Sequence, residues 1–173
     1  MKYIILLFTI SVLAACSSIA EVNYPDRRVP QTLTHKAYYY IGMNETDHRV
    51  LLKQLMGVDP VTTEWCAAFV NMILLENNLP MSSTVSDYQL TARSFLRWGE
   101  EVTENPKKGD VLVFTRGDSE WKGHVGFYVS HKVVNGMVVY NILGGNQDNS
   151  VSIKQYPHFK LLSIRRLEYQ PGS

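Results

Sequence analysis

Two side chains in this sequence could carry nucleophilic chemistry together. Cys66 opens the apolar stretch Cys66-Ala67-Ala68-Phe69-Val70, and the spacing puts it in the first turn of a helix. Peptide dipoles leave a positive end there, which favours a thiolate over a thiol. The thiolate is the attacking form. A cysteine on an apolar helix face is also a common core residue, so position alone leaves both uses open. His124 begins the alternating run His124-Val125-Gly126-Phe127-Tyr128, with Gly123 before it and Gly126 on its own face. Small neighbours let another element approach the ring closely, as a helix bearing a nucleophile must. His35, His48 and His158 lie in polar or terminal surroundings and read as solvated. His131 closes the same strand at odd spacing, which predicts the face opposite to His124.

The elements that must hold this pair follow from the apolar periodicity. A first helix is expected over Thr32 to Ile41, ending at Gly42. A second is capped by Asn44 or Thr46 and ends at Gly57, with Val50, Leu51, Leu52, Leu55 and Met56 as its stripe. A third runs from about Glu64 to Glu76, and Asn77-Asn78 stops it before Pro80. A short helix is expected from Thr91 to Trp98. Beyond Gly109-Asp110 the pattern turns to strands: Val111 to Thr115, His124 to His131, Val133-Val134 with Met137 to Leu143 around Asn135-Gly136, Val151 to Ile153, and Leu161 to Leu167. Helices on one face of an antiparallel sheet of about five strands make an α+β fold.

Three stretches carry a family resemblance. Glu64-Trp65-Cys66-Ala67-Ala68-Phe69-Val70-Asn71, Lys108-Gly109-Asp110-Val111-Leu112-Val113-Phe114 and Gly123-His124-Val125-Gly126-Phe127-Tyr128 resemble the bacterial and phage cysteine hydrolases of the CHAP and NlpC type. A CHAP-like branch also has Gly-Gly-Asn-Gln, here Gly144 to Gln147. The resemblance covers roughly residues 38–166. It implies a papain-like fold and cleavage of amide bonds in peptidoglycan, with Cys66 as nucleophile and His124 as general base. CHAP enzymes often place Glu-x-Asn where this chain has Gly144-Gly145-Asn146, so the Glu is absent. Asn146 is assigned to orient His124, with Asn141 as its main rival and Gln147 next. The implied reaction is acyl transfer through a thiolate–imidazolium pair, the Cys66 N–H helping to hold the oxyanion. It needs no metal or other cofactor. Trp65 and Trp121 flank the two reactive residues in sequence and are candidates for stacking on substrate, while core packing is an equal claim on Trp65.

The N-terminus has the layout of an export signal: Met1-Lys2, an apolar run from Tyr3 to Val12, then Leu13-Ala14-Ala15-Cys16. The run is shorter than the roughly 20 residues a membrane span needs. Leu-Ala-Ala-Cys resembles the bacterial lipobox, in which the cysteine is acylated. The expected organisation is a signal over 1–15, lipidated Cys16 with a tether over 16–30, and a catalytic domain over 31–173. Ser17 would then direct the anchor to the outer membrane, periplasmic side, in a cell with two membranes.

Composition limits the rest. At 173 residues, 45% hydrophobic and 19% charged, the chain suits one domain with a full core. With 17 Lys+Arg against 16 Asp+Glu, it offers no broad basic surface for nucleic acid. Two cysteines make neither a disulfide framework nor a cysteine-built zinc site. The expected partners are peptidoglycan and, through the lipid, a membrane; a monomer is expected. The alternatives are an inactive wall-binding lipoprotein of the same fold and an amidase effector aimed at competing bacteria.

Overall fold

A computed structural model describes residues 29–167. The expected signal segment and Cys16 lie outside the described residues. The architecture is α+β. Three helices, α1 (Val29–Tyr38), α2 (Arg49–Met56) and α3 (Cys66–Glu76), precede 3₁₀ turns at Ser82–Thr84 and Ala92–Arg97. The strands are β1 (Glu100–Glu101), β2 (Val111–Thr115), β3 (Gly123–Val134), β4 (Met137–Gly144), β5 (Ser152–Pro157) and β6 (Leu161–Arg166). They form one sheet in the order β1-β6-β2-β3-β4-β5, with every pairing antiparallel.

The helix ends show which local signals prevailed. Gly57 takes the left-handed conformation (φ 72°) and returns its N–H to Lys53, the expected stop for α2. Asn44 does not cap that helix; its side-chain oxygen accepts from the N–H groups of Thr46 and Asp47 in a turn before it. α1 starts at Val29 and stops at Tyr38. Gly42 (φ 92°) then sends its N–H across to the Val151 carbonyl at 2.9 Å. The expected helix at 91–98 is a 3₁₀ segment. α3 begins at Cys66 itself, two residues later than the periodicity suggests. Every residue from Cys66 to Leu74 is buried, as fits a helix that is apolar on all sides.

The sheet has two cores because side chains alternate along its strands. Val111, Val113, Val125, Phe127 and Leu143 pack with the helices. Leu112, Phe114, Tyr128, Tyr140, Ile142 and Ile164 pack on the other face. The two segments expected at 124–131 and 133–134 are one strand, β3, turning at Asn135 (φ 50°) and Gly136 (φ 77°) into β4. Positive φ at both turn residues is the geometry that matches strand twist. A bulge between Tyr128 and Ser130 shifts the register of β3. The parity argument for His131 therefore fails: its Nδ1 meets the Tyr128 hydroxyl at 2.7 Å, on the face that also carries His124.

Asp110, in the Lys108-Gly109-Asp110 stretch, has a structural job. Fully buried at the start of β2, it receives two bonds from Arg166 (2.7 and 2.6 Å) and one from the Lys107 N–H (2.7 Å). The paired bonds tie the start of β2 to the end of β6.

Candidate active site

The site forms where the start of α3 meets the start of β3. Cys66 is the first residue of its helix and 3% exposed. Its sulfur takes hydrogen bonds from the backbone N–H groups of Val125 and Ala67. Val125 directly follows His124, so the strand that carries the imidazole also touches the thiol. Cys66 and Gly123 line one cavity of about 640 Å³, along with Glu64, Thr91, Arg116 and Trp121.

His124 is buried from several sides. Its ring stacks on Tyr156 of β5, with centroids 4.9 Å apart and planes 7° from parallel. Tyr156 in turn stacks on Phe114 at 4.7 Å. The glycines serve this enclosure. A Cβ on Gly126 would come within 2.6 Å of Ile142 and 2.8 Å of the Leu143 carbonyl, so the close approach is made by strand β4. The expectation that a helix would need that space is corrected accordingly. A Cβ on Gly123 would meet the Phe114 carbonyl at 2.8 Å.

Burial sets the charge state. Desolvation pushes the Cys66 thiol up, against the smaller help of Val125, Arg116 and Ala67. It pushes His124 down to about 3, and the Arg116 and Lys154 charges push the same way. Both shifts favour thiol and neutral imidazole. Against the expected thiolate–imidazolium pair, loss of water around both groups opposes the help of the helix terminus.

The amide beside His124 belongs to Gln147. Its Nε2 donates to three carbonyls, those of Ile142 (3.3 Å), Gly144 (3.2 Å) and Ser152. Carbonyls only accept, so this fixes which end of the amide is nitrogen. Oε1 is left buried and unpartnered, and so are both nitrogens of His124. The point where a Gly144 Cβ would sit lies 3.2 Å from His124 Nε2 and 3.6 Å from Gln147 Cδ, so both groups lie close to that glycine. No aligned hydrogen bond closes between them. The amide still acts on the ring as an acceptor and favours its protonated form.

The other amides point elsewhere. Asn146, assigned above to orient His124, donates its Nδ2 to Glu64 Oε2 at 2.7 Å. It holds φ at 54°, a left-handed turn that asparagine tolerates, and so turns Gln147 inward in its place. Asn141 donates to the Ser130 hydroxyl at 2.8 Å, on the β3–β4 ladder.

Of the two tryptophans, Trp65 is corrected to a core residue. It is fully buried, donates to Glu45 at 3.2 Å and packs edge-on against Phe69. Gly145 lies flush on it: a Cβ there would come within 2.5 Å of the indole. Trp121 is 68% exposed on the loop lining the cavity, with the Lys122 ammonium over its ring at 5.3 Å. Arg93 holds that loop through the carbonyls of Lys122 and Ser119, each at 3.1 Å. Glu64, Arg116 and Tyr156 were missed in the sequence. Tyr156 lies beyond the strand expected at Val151 to Ile153, on the part of β5 that extends to Pro157.

Among the described residues no group of His, Cys, Asp and Glu could hold a metal ion. None of their helices is long and apolar enough to cross a membrane. The family model described as CHAP domain matches residues 58–146, a span holding Cys66 and His124 and ending one residue before Gln147. No curated protein and no solved structure matches the chain.

A neutral thiol has a clear kinetic signature. Alkylation by iodoacetamide, followed on the peptide bearing Cys66, should rise about tenfold per pH unit between pH 6 and 8, since only the thiolate reacts. A plateau across that range would mean that an ion pair exists at rest.

Proposed function

The chain belongs to the CHAP domain family, and we propose that within that family it is a cysteine hydrolase working through Cys66, His124 and Gln147. CHAP membership makes it a hydrolase of the peptidase or amidase type acting on peptidoglycan. The observations that carry the finer reading are a thiol at a helix start, acted on by the backbone N–H that follows His124, and a buried imidazole near a fixed amide.

The mechanism follows from the charge states. In this reading Gln147 Oε1 accepts from Nε2, which puts the ring proton there and leaves Nδ1 free to act as base. As Cys66 Sγ bonds to the carbonyl carbon of the scissile amide, its proton passes to His124. The imidazolium so formed is stabilised by the Gln147 oxygen. The backbone N–H of Cys66, at the start of α3, helps to hold the oxyanion. His124 then protonates the departing amine as the C–N bond breaks. Water, deprotonated by His124, releases the acyl group from sulfur. Arg93 fixes the loop that carries Trp121, leaving that indole free to stack on the substrate.

Muropeptide analysis by mass spectrometry tests this reading. Cys66→Ala should abolish cleavage of purified sacculi at wild-type stability, since alanine suits a first helical turn. Gln147→Ala should lower kcat about 10²-fold, with KM little changed, because general-base catalysis supplies 10²–10⁴ and depends on orientation. Asn146→Gly, which keeps the left-handed turn, should lower kcat far less. Cleavage by Cys66→Ala would remove the thiol mechanism, and a larger kcat loss in Asn146→Gly would return the orienting role to Asn146.

We also propose that the chain is a lipoprotein anchored through Cys16, on the Leu13-Ala14-Ala15-Cys16 pattern. The anchor would confine the enzyme to wall near its own membrane. Metabolic labelling with a clickable fatty acid should mark the wild type and not Cys16→Ala. Label retained on the variant would reject the anchor.

A further inference from the structure

At the mouth of the Cys66 cavity a carboxylate already sits between two donors. Glu64 Oε2 accepts from Arg116 Nη1 and, at 2.7 Å, from Asn146 Nδ2. The three residues come from separate parts of the fold: two positions before the thiol, just past β2, and the left-handed turn after β4. Glu64 and Arg116 line the cavity together with Cys66. Neither is held by burial: the Glu64 side chain is 74% exposed and that of Arg116 44%. Exposed ion pairs of this kind bind weakly.

A guanidinium and an amide N–H are also what an incoming carboxylate would use. Arg116 lies near the reacting atoms, since its charge acts on both Cys66 and His124. We propose that Arg116 and Asn146 form a subsite for an acidic group of the wall peptide next to its scissile amide, and that Glu64 is a resident carboxylate displaced on binding. Exchange leaves one anion on Arg116 before and after. Glu64, once displaced, returns to water at little cost. The inference rests on the reading of the site as a wall-peptide hydrolase and assigns its substrate class: stem peptides with a free carboxylate there, over those in which it is amidated.

The test pairs two synthetic γ-D-glutamyl stem peptides, one with its α-carboxylate free and one as the α-carboxamide. The ratio of their kcat/KM values cancels any effect of a variant on the shared chemistry. The wild type should prefer the free acid by about tenfold or more, the scale of one charge-assisted contact. Arg116→Gln should bring the ratio near one. Glu64→Gln, which weakens the internal competitor, should lower KM for the acid relative to the amide. Calorimetric binding of both peptides to Cys66→Ala gives the same comparison without turnover. A preference there, with no cleavage by the wild type, would uphold the subsite and reject the hydrolase. Cleavage of both peptides at equal efficiency would uphold the hydrolase and overturn the subsite. A preference that survives Arg116→Gln would also overturn it.

Discussion

Water is kept from His124, and much of the site depends on that exclusion. An imidazole sealed under Tyr156 and against β4 cannot ionise cheaply, so its ordinary affinity for a proton is suppressed. The seal needs the glycines at 123 and 126, where any Cβ would strike backbone. It also gives the Gln147 oxygen its purpose. In the proposed mechanism that oxygen accepts from Nε2 and stabilises the imidazolium formed as Cys66 attacks.

The same exclusion separates two electrostatic zones. Inside are the neutral thiol and imidazole. At the rim, in contact with water, lie Arg116, Glu64 and Lys154. The positive charges at the rim oppose protonation of His124, while Arg116 favours the Cys66 thiolate. An anion held on Arg116 moderates both effects.

The sequence exposes those features that depend on local pattern. Cys66 and His124 stand at the starts of an apolar helix and an alternating strand, and both elements form where periodicity puts them. Asn135-Gly136 makes its hairpin through left-handed φ values that few other residues adopt. What depends on a single backbone angle or register shift is hidden. Asn146 and Gln147 are adjacent amides, and the left-handed turn at Asn146 decides that the second points at the imidazole. The bulge after Tyr128 reverses the side that His131 faces. Trp65 adjoins the nucleophile in sequence, yet it precedes the helix and turns into the core under Gly145. Arg116 and Glu64 meet across 52 positions, a pairing that no local spacing reveals.

The central claim is that Gln147 holds His124 as a neutral base with its proton on Nε2. Nitrogen-15 NMR of the histidine-labelled protein reads both the charge and the tautomer directly. The account predicts a neutral His124 ring, protonated at Nε2 and free at Nδ1, unchanged from pH 8 down to pH 5. A ring protonated on both nitrogens at pH 7, or one whose single proton sits on Nδ1, would contradict it.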